Sequence, residues 1–324
     1  MKRSMGFALF GAAMVVALHW ATAHAQQYPV KPIRFVVPYA PGGSTDTVAR
    51  IVAQRLSESI GQPIIVDNRP GAGGTIAADM VAKAQPDGYT VLVGDIGPNA
   101  IAATLYSKLP YDPMKDFEHV TLMVTFPLVA VVAAGSRLAS LEQLLEEARA
   151  KPGKLTYGSQ GIGSPAHLFV ELMDSMARVK TVHVPYKGGA PALAGLLAQD
   201  VDFAVIAVST AQSQLAAGKI RALAVTSAKP SPRLPGVAPI ASWLPGYDGL
   251  NFHGLHLPAN TPKPIVDKLQ REAVAVLRRP DVIARFDELS IDVRATSSAE
   301  FTAFIRDQID KWGAVVRETG ARAD

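Results

Sequence analysis

The sequence has no cysteine among its 324 residues. Disulfide bonds, a nucleophilic thiolate and cysteine-ligated metals are therefore excluded, and so is lipoprotein export, which needs a cysteine at the cleavage site. Charged residues make up only 19%, against about 25% in an average globular protein. Because hydrophobic residues reach 48%, the composition indicates a folded chain with a large core, long enough for two domains.

The first 25 residues contain no aspartate or glutamate. They begin with the basic residues Lys2 and Arg3, which precede an apolar run over residues 6–18. Ala23-His24-Ala25 then fits the small-residue motif of signal-peptidase cleavage. We therefore predict a secretory signal peptide at residues 1–25. The alternative is an uncleaved membrane anchor, which is disfavoured because a membrane span needs about 20 apolar residues.

Long apolar runs are missing after residue 25, so we expect the mature protein to be soluble. Charge of one sign does not dominate either. Without Lys2 and Arg3, the 32 basic residues fall to 30 against 28 acidic ones, a formal charge of +2. That balance argues against a nucleic-acid partner, which normally requires a strongly basic surface.

From residue 28 onward, short apolar segments alternate with amphipathic ones. Strands are predicted at residues 33–39, 64–68, 90–94, 120–134, 155–159, 181–184, 201–208, 220–226 and 251–257. Helices are predicted at residues 44–60, 75–84, 98–106, 141–150, 164–178, 190–199, 210–217, 264–278, 281–289 and 299–319. This α/β alternation is typical of mixed, mostly parallel sheets flanked by helices.

Two of the predicted strands indicate where the chain crosses from one domain to the other. The run 120–134, broken once by Pro127, is unusually long for one strand, and a second crossing is expected at residues 249–258. The C-terminal helices are expected to return to the first domain. The predicted lobe 1 comprises residues 26–126 and 250–324, and the predicted lobe 2 comprises residues 127–249. In such a fold the ligand lies between the lobes, and closure about the hinge traps it.

The clearest sign of a binding site follows the first strand. Pro41-Gly42-Gly43 forms a glycine turn, and a helix is predicted to begin at Ser44-Thr45-Asp46. The first N–H groups of a helix have no partner inside it, and the helix dipole favours negative charge there. The segment therefore predicts an anion-binding loop.

The second domain repeats this pattern. The strand that ends at Ser159 leads through Gly163 to Ser164, a candidate N-cap, and Pro165 occupies the favoured first helical position. Either turn alone is equally well explained as an ordinary capped connection. Two such turns in matching positions favour an anion held between two helix N-termini.

Other candidates each have two interpretations. His167 either donates to a ligand or packs in the core, and Asp95 either accepts from a ligand or caps the following helix. Lys187 either pairs with an anion or is an ordinary surface lysine. Tyr39 and Ser209 complete the candidate set.

Catalytic and metal motifs are not assembled. Gly161-x-Gly163-x-x-Ala166 matches the dinucleotide fingerprint, but the next strand ends without the required acidic residue. The spacing around Ser159 does not fit a nucleophile elbow. His253 and His256 lie in a predicted strand rather than on a helix face, which argues against a metal site. We therefore expect no cofactor, no metal and no catalysis.

Five motifs together resemble the tripartite tricarboxylate transporter receptor family, also called the Bug family. In the first lobe they are Pro41-Gly42-Gly43-Ser44-Thr45-Asp46, Asn68-Arg69-Pro70-Gly71-Ala72-Gly73-Gly74 and Leu109-Pro110-Tyr111-Asp112-Pro113. In the second lobe they are Tyr157-Gly158-Ser159 with Gly163-Ser164 and His167-Leu168, and Val184-Pro185-Tyr186-Lys187-Gly188. The motifs occur in order, so the likeness covers the chain from about residue 28 to the C-terminus.

This resemblance implies a periplasmic solute-binding protein with a two-lobed, type II Venus-flytrap fold. It implies that a small organic carboxylate or dicarboxylate is held between the lobes by backbone N–H groups, hydroxyls and ordered water. The residues that it indicates are Gly43, Ser44, Thr45 and Asp46 in one lobe, and Ser159, Gly163, Ser164 and His167 in the other. Because a carboxylate would repel Asp46, that residue is expected to fix the shape of the loop.

Many members of the family hand their ligand to an inner-membrane permease, and delivery to a sensor-kinase ectodomain is the alternative. An exported enzyme that acts on a small acid is a third hypothesis, and a monomer is expected. Two segments depart from the usual family pattern, namely Asp95 with the four residues after it, and Phe126-Pro127. If either faces the cleft, the far end of the ligand carries an amine, a hydroxyl or a ring.

Overall fold

A computed structural model describes residues 28–323 of the chain. The predicted signal peptide, residues 1–25, lies outside the described residues. The β-strands are β1 Ile33–Val37, β2 Ile64–Asn68, β3 Thr90–Gly94, β4 Phe117–Ala133, β5 Thr156–Ser159, β6 Val182–Pro185, β7 Phe203–Ala207, β8 Ile220–Val225, β9 Leu250–Pro258 and β10 Asp292–Val293.

Helices connect most of these strands. The α-helices are α1 Ser44–Ile60, α2 Thr75–Ala82, α3 Ala102–Leu105, α4 Leu141–Ala150, α5 Pro165–Ala177, α6 Gly189–Leu197, α7 Val208–Ala216, α8 Lys263–Leu277, α9 Pro280–Glu288 and α10 Ser298–Thr319. Short 3₁₀ turns occur at Ala72–Gly74 and Ile240–Ser242, and a π-helical turn occurs at Gly97–Ile101. Across residues 28–323, no helix combines the length and the apolar character that a membrane crossing requires.

The strands form two sheets that share β4. In the first sheet, β2, β1 and β3 are parallel, and β9 lies antiparallel between β3 and the first part of β4, which also pairs with β10. In the second sheet, β6, β5 and β7 are parallel, and the last part of β4 lies antiparallel to β7 and β8. This arrangement matches the predicted two-lobed α/β fold with mixed, mostly parallel sheets.

The hydrophobic pattern explains why these segments form buried strands. In β1, Ile33, Phe35 and Val37 belong to the main core, whereas Val36 points to a smaller cluster on the other side of the sheet. A strand that is covered on both faces reads as a continuous apolar run rather than as an alternating one. The helix that follows ends where the sequence supplies Gly61, whose φ of 69° few other residues adopt readily.

Strand β4 runs without interruption through Pro127, so the break predicted there does not occur. Pro127 pairs with Leu250 of β9, and the next residue, Leu128, pairs with Ala207 of β7. The proline therefore lies where β4 leaves one sheet and joins the other, a position at which the missing N–H is tolerated.

Thr226 links the second connection between the sheets to β4 through hydrogen bonds. The backbone N–H of Thr226 donates to the carbonyl oxygen of Leu128 at 2.9 Å, and the N–H of Gly249 donates to the carbonyl oxygen of Thr226 at 2.7 Å. The hydroxyl of Thr226 accepts from the N–H of Leu128 at 2.9 Å and donates to the carbonyl oxygen of Gly249 at 2.6 Å. A single buried side chain thus joins both crossings.

The C-terminal helices pack mainly on the first sheet. Helix α8 contacts α1 and β4, and α10 contacts β4 and the π-helical turn. At one point α10 also reaches the second sheet's helices, because Trp312 stacks on Phe169 of α5 with ring centroids 4.9 Å apart. The short strand β10 and the start of α7 at Val208, rather than at Thr210, were not predicted.

Candidate functional site

A small cavity lies between the two sheets, at the ends of strands from both. Its lining residues are Tyr39, Gly43, Ser44, Thr45, Asp95, Gln160, Pro165, Gly189, Thr210 and Asn251. The free space is about 10 Å³, which is close to what one water molecule needs. The two lobes are therefore in contact around this cavity, in a closed arrangement.

Four helices begin at this cavity, namely α1 at Ser44, α5 at Pro165, α6 at Gly189 and α7 at Val208. Within the described chain, the N-cap residues of these four helices make no side-chain capping hydrogen bond, although Oε1 of Gln160 accepts from the N–H of Ala166 in the first turn of α5 at 3.3 Å. Of the six other α-helices in the described chain, α4 and α10 are capped by the side chains of Ser140 and Ser297, whereas α2, α3, α8 and α9 also lack a side-chain cap. The cavity therefore faces the positive ends of four helix dipoles, with N–H groups that side-chain caps leave available.

The first-lobe loop is held in shape by Asp46. One carboxylate oxygen of Asp46 accepts from the N–H of Gly42 at 3.0 Å, and the other accepts from the Asn68 amide at 3.1 Å. Arg50 completes this network with an ion pair at 2.9 Å. Burial raises the pKa of Asp46, but the hydrogen bonds from Arg50, Gly42 and Asn68 outweigh it and hold the pKa below its usual value. Asp46 is thus an ionised residue that fixes the turn, as the resemblance implied.

Asp95 makes the capping contact that the sequence predicted as one alternative, and it also lies at the cavity. Its Oδ1 accepts from the backbone N–H of Gly97 at 3.0 Å, at the start of the π-helical turn. The same oxygen accepts from the hydroxyl of Tyr39 at 3.2 Å, and the side chain of Asn251 is a further partner. Burial raises the pKa of Asp95 to about 7, because the charged form loses its hydration. Asp95 also lines the cavity, so its protonation depends on the charge of any group that binds there.

Ser159 and His167 lie behind the second-lobe loop rather than in the cavity. The hydroxyl of Ser159 is 2.6 Å from Nε2 of His183, and it also accepts from the N–H of Gly161 at 3.0 Å. The imidazole of His167 stacks on that of His183 at 4.2 Å, and its Nδ1 accepts from the N–H of Gly163 at 3.2 Å. Burial lowers the pKa of His167 to about 4 and that of His183 to about 3, so both rings are neutral at pH 7. This arrangement supports the loop and gives no support to a direct ligand contact by either predicted residue.

The other second-lobe candidates have different surroundings. Ser164 is fully buried at the N-cap of α5, and a Cβ added to Gly163 would meet the side chain of Leu105 in the first lobe. The side chain of Lys187 is exposed, and its carbonyl oxygen accepts from the N–H of Ala40 at 3.0 Å. Ser209 is half-buried beside the cavity residue Thr210, and within residues 28–323 its hydroxyl has no hydrogen-bond partner.

Several cavity residues were not predicted. Gln160, Gly189 and Thr210 follow strand ends or open helices in the second lobe, so a search of every strand end would have found them. Asn251 could not be found in this way, because it lies at the beginning of β9 rather than at the end of a strand. It reaches the cavity because β9 runs antiparallel to β3, with Gly254 opposite Gly94.

The two segments that depart from the usual family pattern, at Asp95 and at Phe126, have different surroundings. Asp95 faces the cavity, whereas Phe126 is buried against His253 with ring centroids 4.8 Å apart. His253 lies 3.3 Å from the hydroxyl of Ser44, and His256 is paired with His119 in the core. Among residues 28–323, no group of three or more acidic, histidine or cysteine side chains is arranged to hold a metal ion.

A model of the family described as "Tripartite tricarboxylate transporter family receptor" matches residues 48–321. A UPF0065 protein from the tcbD–tcbE intergenic region of Pseudomonas sp. strain P51 is 37% identical over 312 residues, covering 95% of this chain and 93% of its own. The protein BugT of Bordetella pertussis is 33% identical over 317 residues, covering 97% of each chain.

Solved structures agree with these sequence relatives. The structure of Rpa4515 of R. palustris with adipate superposes with a TM-score of 0.88 at 34% identity, over 91% of this chain and 99% of that one. The structure of MatC from Rhodopseudomonas palustris with bound malate gives a TM-score of 0.85 at 33% identity, over 89% and 100%. The predicted fold class is thereby confirmed, and the chain belongs to the tripartite tricarboxylate transporter receptor family, the Bug family of periplasmic solute-binding proteins.

Proposed function

We propose that this protein is a periplasmic receptor that captures a small organic carboxylate between its lobes and delivers it to an inner-membrane permease. The observation that carries the proposal is the convergence of four helix N-termini on one cavity, with no capping hydrogen bond from the side chain of their N-cap residues in the described chain. Each such terminus carries about half a positive charge in the form of unpaired N–H groups. A carboxylate is the simplest small anion that accepts from several of them at once.

The cavity lining favours recognition by neutral donors. Among the described residues that line the cavity, none is a lysine or an arginine. The hydroxyls of Ser44, Thr45 and Thr210, the Gln160 amide and the backbone N–H groups are then the groups available to a carboxylate. A site of this kind does not lock the ligand in an ion pair, so release to a membrane partner remains easy.

Two relatives support the chemical class. One solved structure contains adipate and another contains malate, at 34% and 33% identity to this chain. Both compounds are small dicarboxylates. We therefore place the ligand of this protein among small organic acids, and take the protein to be a binding protein without catalytic activity.

Ligand entry requires the lobes to separate, because about 10 Å³ of free space cannot hold an organic acid. We propose that the hinge lies at the predicted boundaries, residues 126–127 and 249–250. There β4 and β9 enter the first sheet, and Thr226 joins the two crossings through hydrogen bonds to Leu128 and Gly249.

Gly43→Val tests the binding site. Gly43 lines the cavity, and a Cβ added there would make only ordinary contacts, 3.8 Å from the backbone nitrogen of Gly189 and 3.9 Å from the carbonyl oxygen of Ala40. A valine side chain would fill the space that the carboxylate needs while leaving the fold intact. Gly135→Val is the matched control, because Gly135 lies in a turn with nothing within 4 Å of an added Cβ.

Both variants and the unmodified mature protein are heated with succinate, glutarate, adipate, malate, citrate, glutamate and lactate. A ligand at 100 times its Kd stabilises the protein by about 2.7 kcal/mol, which raises the melting temperature measurably. We expect at least one acid to stabilise the unmodified protein and Gly135→Val, but not Gly43→Val. Equal stabilisation of all three proteins would place the site elsewhere, and no stabilisation by any acid would refute carboxylate binding.

Delivery and oligomeric state need separate measurements. Uptake of the labelled acid by cells with and without the gene tests delivery to a permease, and unchanged uptake in its absence would refute this role. We expect a monomer in solution, which light scattering tests directly. Incubation of the purified protein with the bound acid, followed by mass analysis, tests for turnover, and any product would favour an enzyme.

A further inference from the structure

A polar contact outside the cavity joins the two lobes at the C-terminal end of helix α9. The guanidinium of Arg233, in the segment after β8, forms an ion pair with the carboxylate of Asp287 in α9. The side-chain amide of Gln212 in α7 donates to the carbonyl oxygen of Glu288, the last residue of α9, at 3.1 Å. Two elements that belong to the second sheet therefore contact one helix end that belongs to the first.

The end of α9 is complementary to these two side chains in charge and in hydrogen bonding. The last carbonyl oxygens of a helix have no N–H partner inside it, and this end carries about half a negative charge. Asp287 adds a full negative charge in the same turn, which is unfavourable for an isolated helix. Arg285 of the same turn pairs with Glu288 at 2.8 Å, so the cation that compensates Asp287 is Arg233 from the other lobe.

This contact is a hydrated polar bridge rather than part of the packed core. Two hollows of about 320 and 520 Å³ adjoin it, and Arg233 and Ser290 line both of them. The side chains of Arg233 and Asp287 are 45% and 62% exposed, so water can replace each partner when the pair separates. The bridge can therefore form and break at a small cost in free energy.

The bridge lies beside the ligand cavity without belonging to it. Val208, at which α7 begins near the cavity, lines the larger hollow, and Gln212 follows one turn later on the same helix. Among the described residues that line the cavity, Gln212, Arg233 and Asp287 do not occur. When the lobes separate about the proposed hinge, α7 and the segment after β8 move with one lobe, and α9 stays with the other.

We propose that Arg233 and Gln212 form a latch with the end of α9 that stabilises the closed arrangement, so that side chains that never touch the ligand contribute to its affinity. The inference rests on the proposed function, because the ligand is retained only while the lobes are closed. An exposed ion pair changes an equilibrium constant by about two- to fivefold, so the latch shifts the balance between open and closed molecules without locking either state. Salt screens the pair, so its effect decreases as the ionic strength rises.

The experiment measures the distance between the lobes in the ligand-free mature chain. Because the sequence has no cysteine, Lys83→Cys and Ala198→Cys place one spin label on an exposed position of each lobe, directly after α2 and α6. Pulsed electron spin resonance then gives the distribution of distances between the two labels. Arg233→Glu places like charges together, and we expect it to lower the ratio of closed to open molecules by about fivefold. Arg233→Glu combined with Asp287→Arg restores an ion pair and should recover most of this loss.

Lys263→Glu is the matched control, because Lys263 forms an exposed ion pair with Asp267 within α8 and the change in net charge is the same. The control should leave the distance distribution unchanged. The difference between Arg233→Glu and the unmodified protein should be large at an ionic strength of about 0.01 M and small at about 1 M. Equal distributions for the unmodified protein and Arg233→Glu, or a failure of the charge swap to recover the closed molecules, would overturn the inference.

Calorimetric titration of the same proteins with adipate, malate and glutamate separates this inference from the proposed function. Each acid that binds should bind Arg233→Glu more weakly by the same factor, because the latch acts on closure and not on the ligand. Factors that differ from one acid to the next would overturn the inference, since they would indicate a direct effect on the cavity. If no acid binds to the unmodified protein, the proposed function is refuted, whereas the distance distributions still decide whether the latch exists.

Discussion

Gly73 allows lobe closure to be tested separately from folding. It lies in the short 3₁₀ turn of the first lobe with a φ of 59°. A Cβ added at this position would collide with the carbonyl oxygen of Ile162 and lie 3.1 Å from the carbonyl carbon of Gly163, both in the second lobe. We predict that Gly73→Ala prevents the lobes from reaching the closed arrangement, and that it weakens ligand binding for this reason.

The magnitude has two parts. A positive φ costs a residue with a Cβ about 1–2 kcal/mol of folding free energy. The collision with Ile162 adds the cost of overpacking, about 1–3 kcal/mol, but only in the closed state. The second part lowers the affinity by about five- to 150-fold, since every 1.4 kcal/mol is about tenfold. Gly218 has a φ of 65° and nothing within 4 Å of an added Cβ, so Gly218→Ala carries the first cost without the second.

The assay combines urea unfolding with calorimetric titration of the tightest acid found in the panel above. Both variants should lose a similar amount of unfolding free energy, and only Gly73→Ala should bind more weakly. Small-angle scattering with the acid present should show a larger radius of gyration for Gly73→Ala than for Gly218→Ala. Equal affinities for the two variants would show that the contact between Gly73 and Ile162 is not part of the ligand-bound state, and would refute the reasoning.

Two further predictions concern stability. Thr226→Val removes the hydroxyl that joins Leu128 to Gly249, and it leaves a buried N–H unpaired, so urea unfolding should show a loss of about 1–3 kcal/mol. Thr302→Val, whose hydroxyl donates only within its own helix, should lose clearly less, and an equal loss would contradict a special role for Thr226. His167→Asn tests the neutral buried imidazole, whose pKa is about 4 in the folded protein and about 6.5 when unfolded. The contribution of this neutral imidazole to the free energy of unfolding is fully present above pH 6.5 and decreases by about 1.4 kcal/mol per pH unit as the pH falls towards 4. If the difference in unfolding free energy between the unmodified protein and His167→Asn stays constant with pH, the prediction is wrong.

Most elements were predictable because local signals and burial agree. Strand β1 is a short apolar run between polar segments, and α1 begins after a glycine turn and ends at Gly61. The short strand β10 was not predictable, because two residues carry no periodicity and their pairing with Thr125 and Val124 is decided by tertiary contacts.

Only the part of the site that follows from the direction of the strands was predictable from the sequence. Glycine turns at the carboxyl ends of parallel strands indicated the helix N-termini at Ser44 and Pro165, which both line the cavity. Which side of a turn faces the cavity depends on packing, so His167, three residues after Ser164, points into the second lobe towards His183. Asn251 depends on an antiparallel strand that is distant in sequence, and no local pattern indicates such a neighbour.

The shared strand β4 also determines which sheet can be completed first as the chain is made. All strands of the second sheet lie between residues 117 and 225, so that sheet can assemble as soon as β8 has been synthesised. In the first sheet, β3 and β4 stay separated until β9, residues 250–258, inserts between them. The edges of β3 and of the first half of β4 that pair with β9 therefore stay unpaired until residues 250–258 have been synthesised, so in a nascent chain stopped before residue 250 the amides of β7 should be protected from hydrogen exchange and those of β3 that bond to β9 should not.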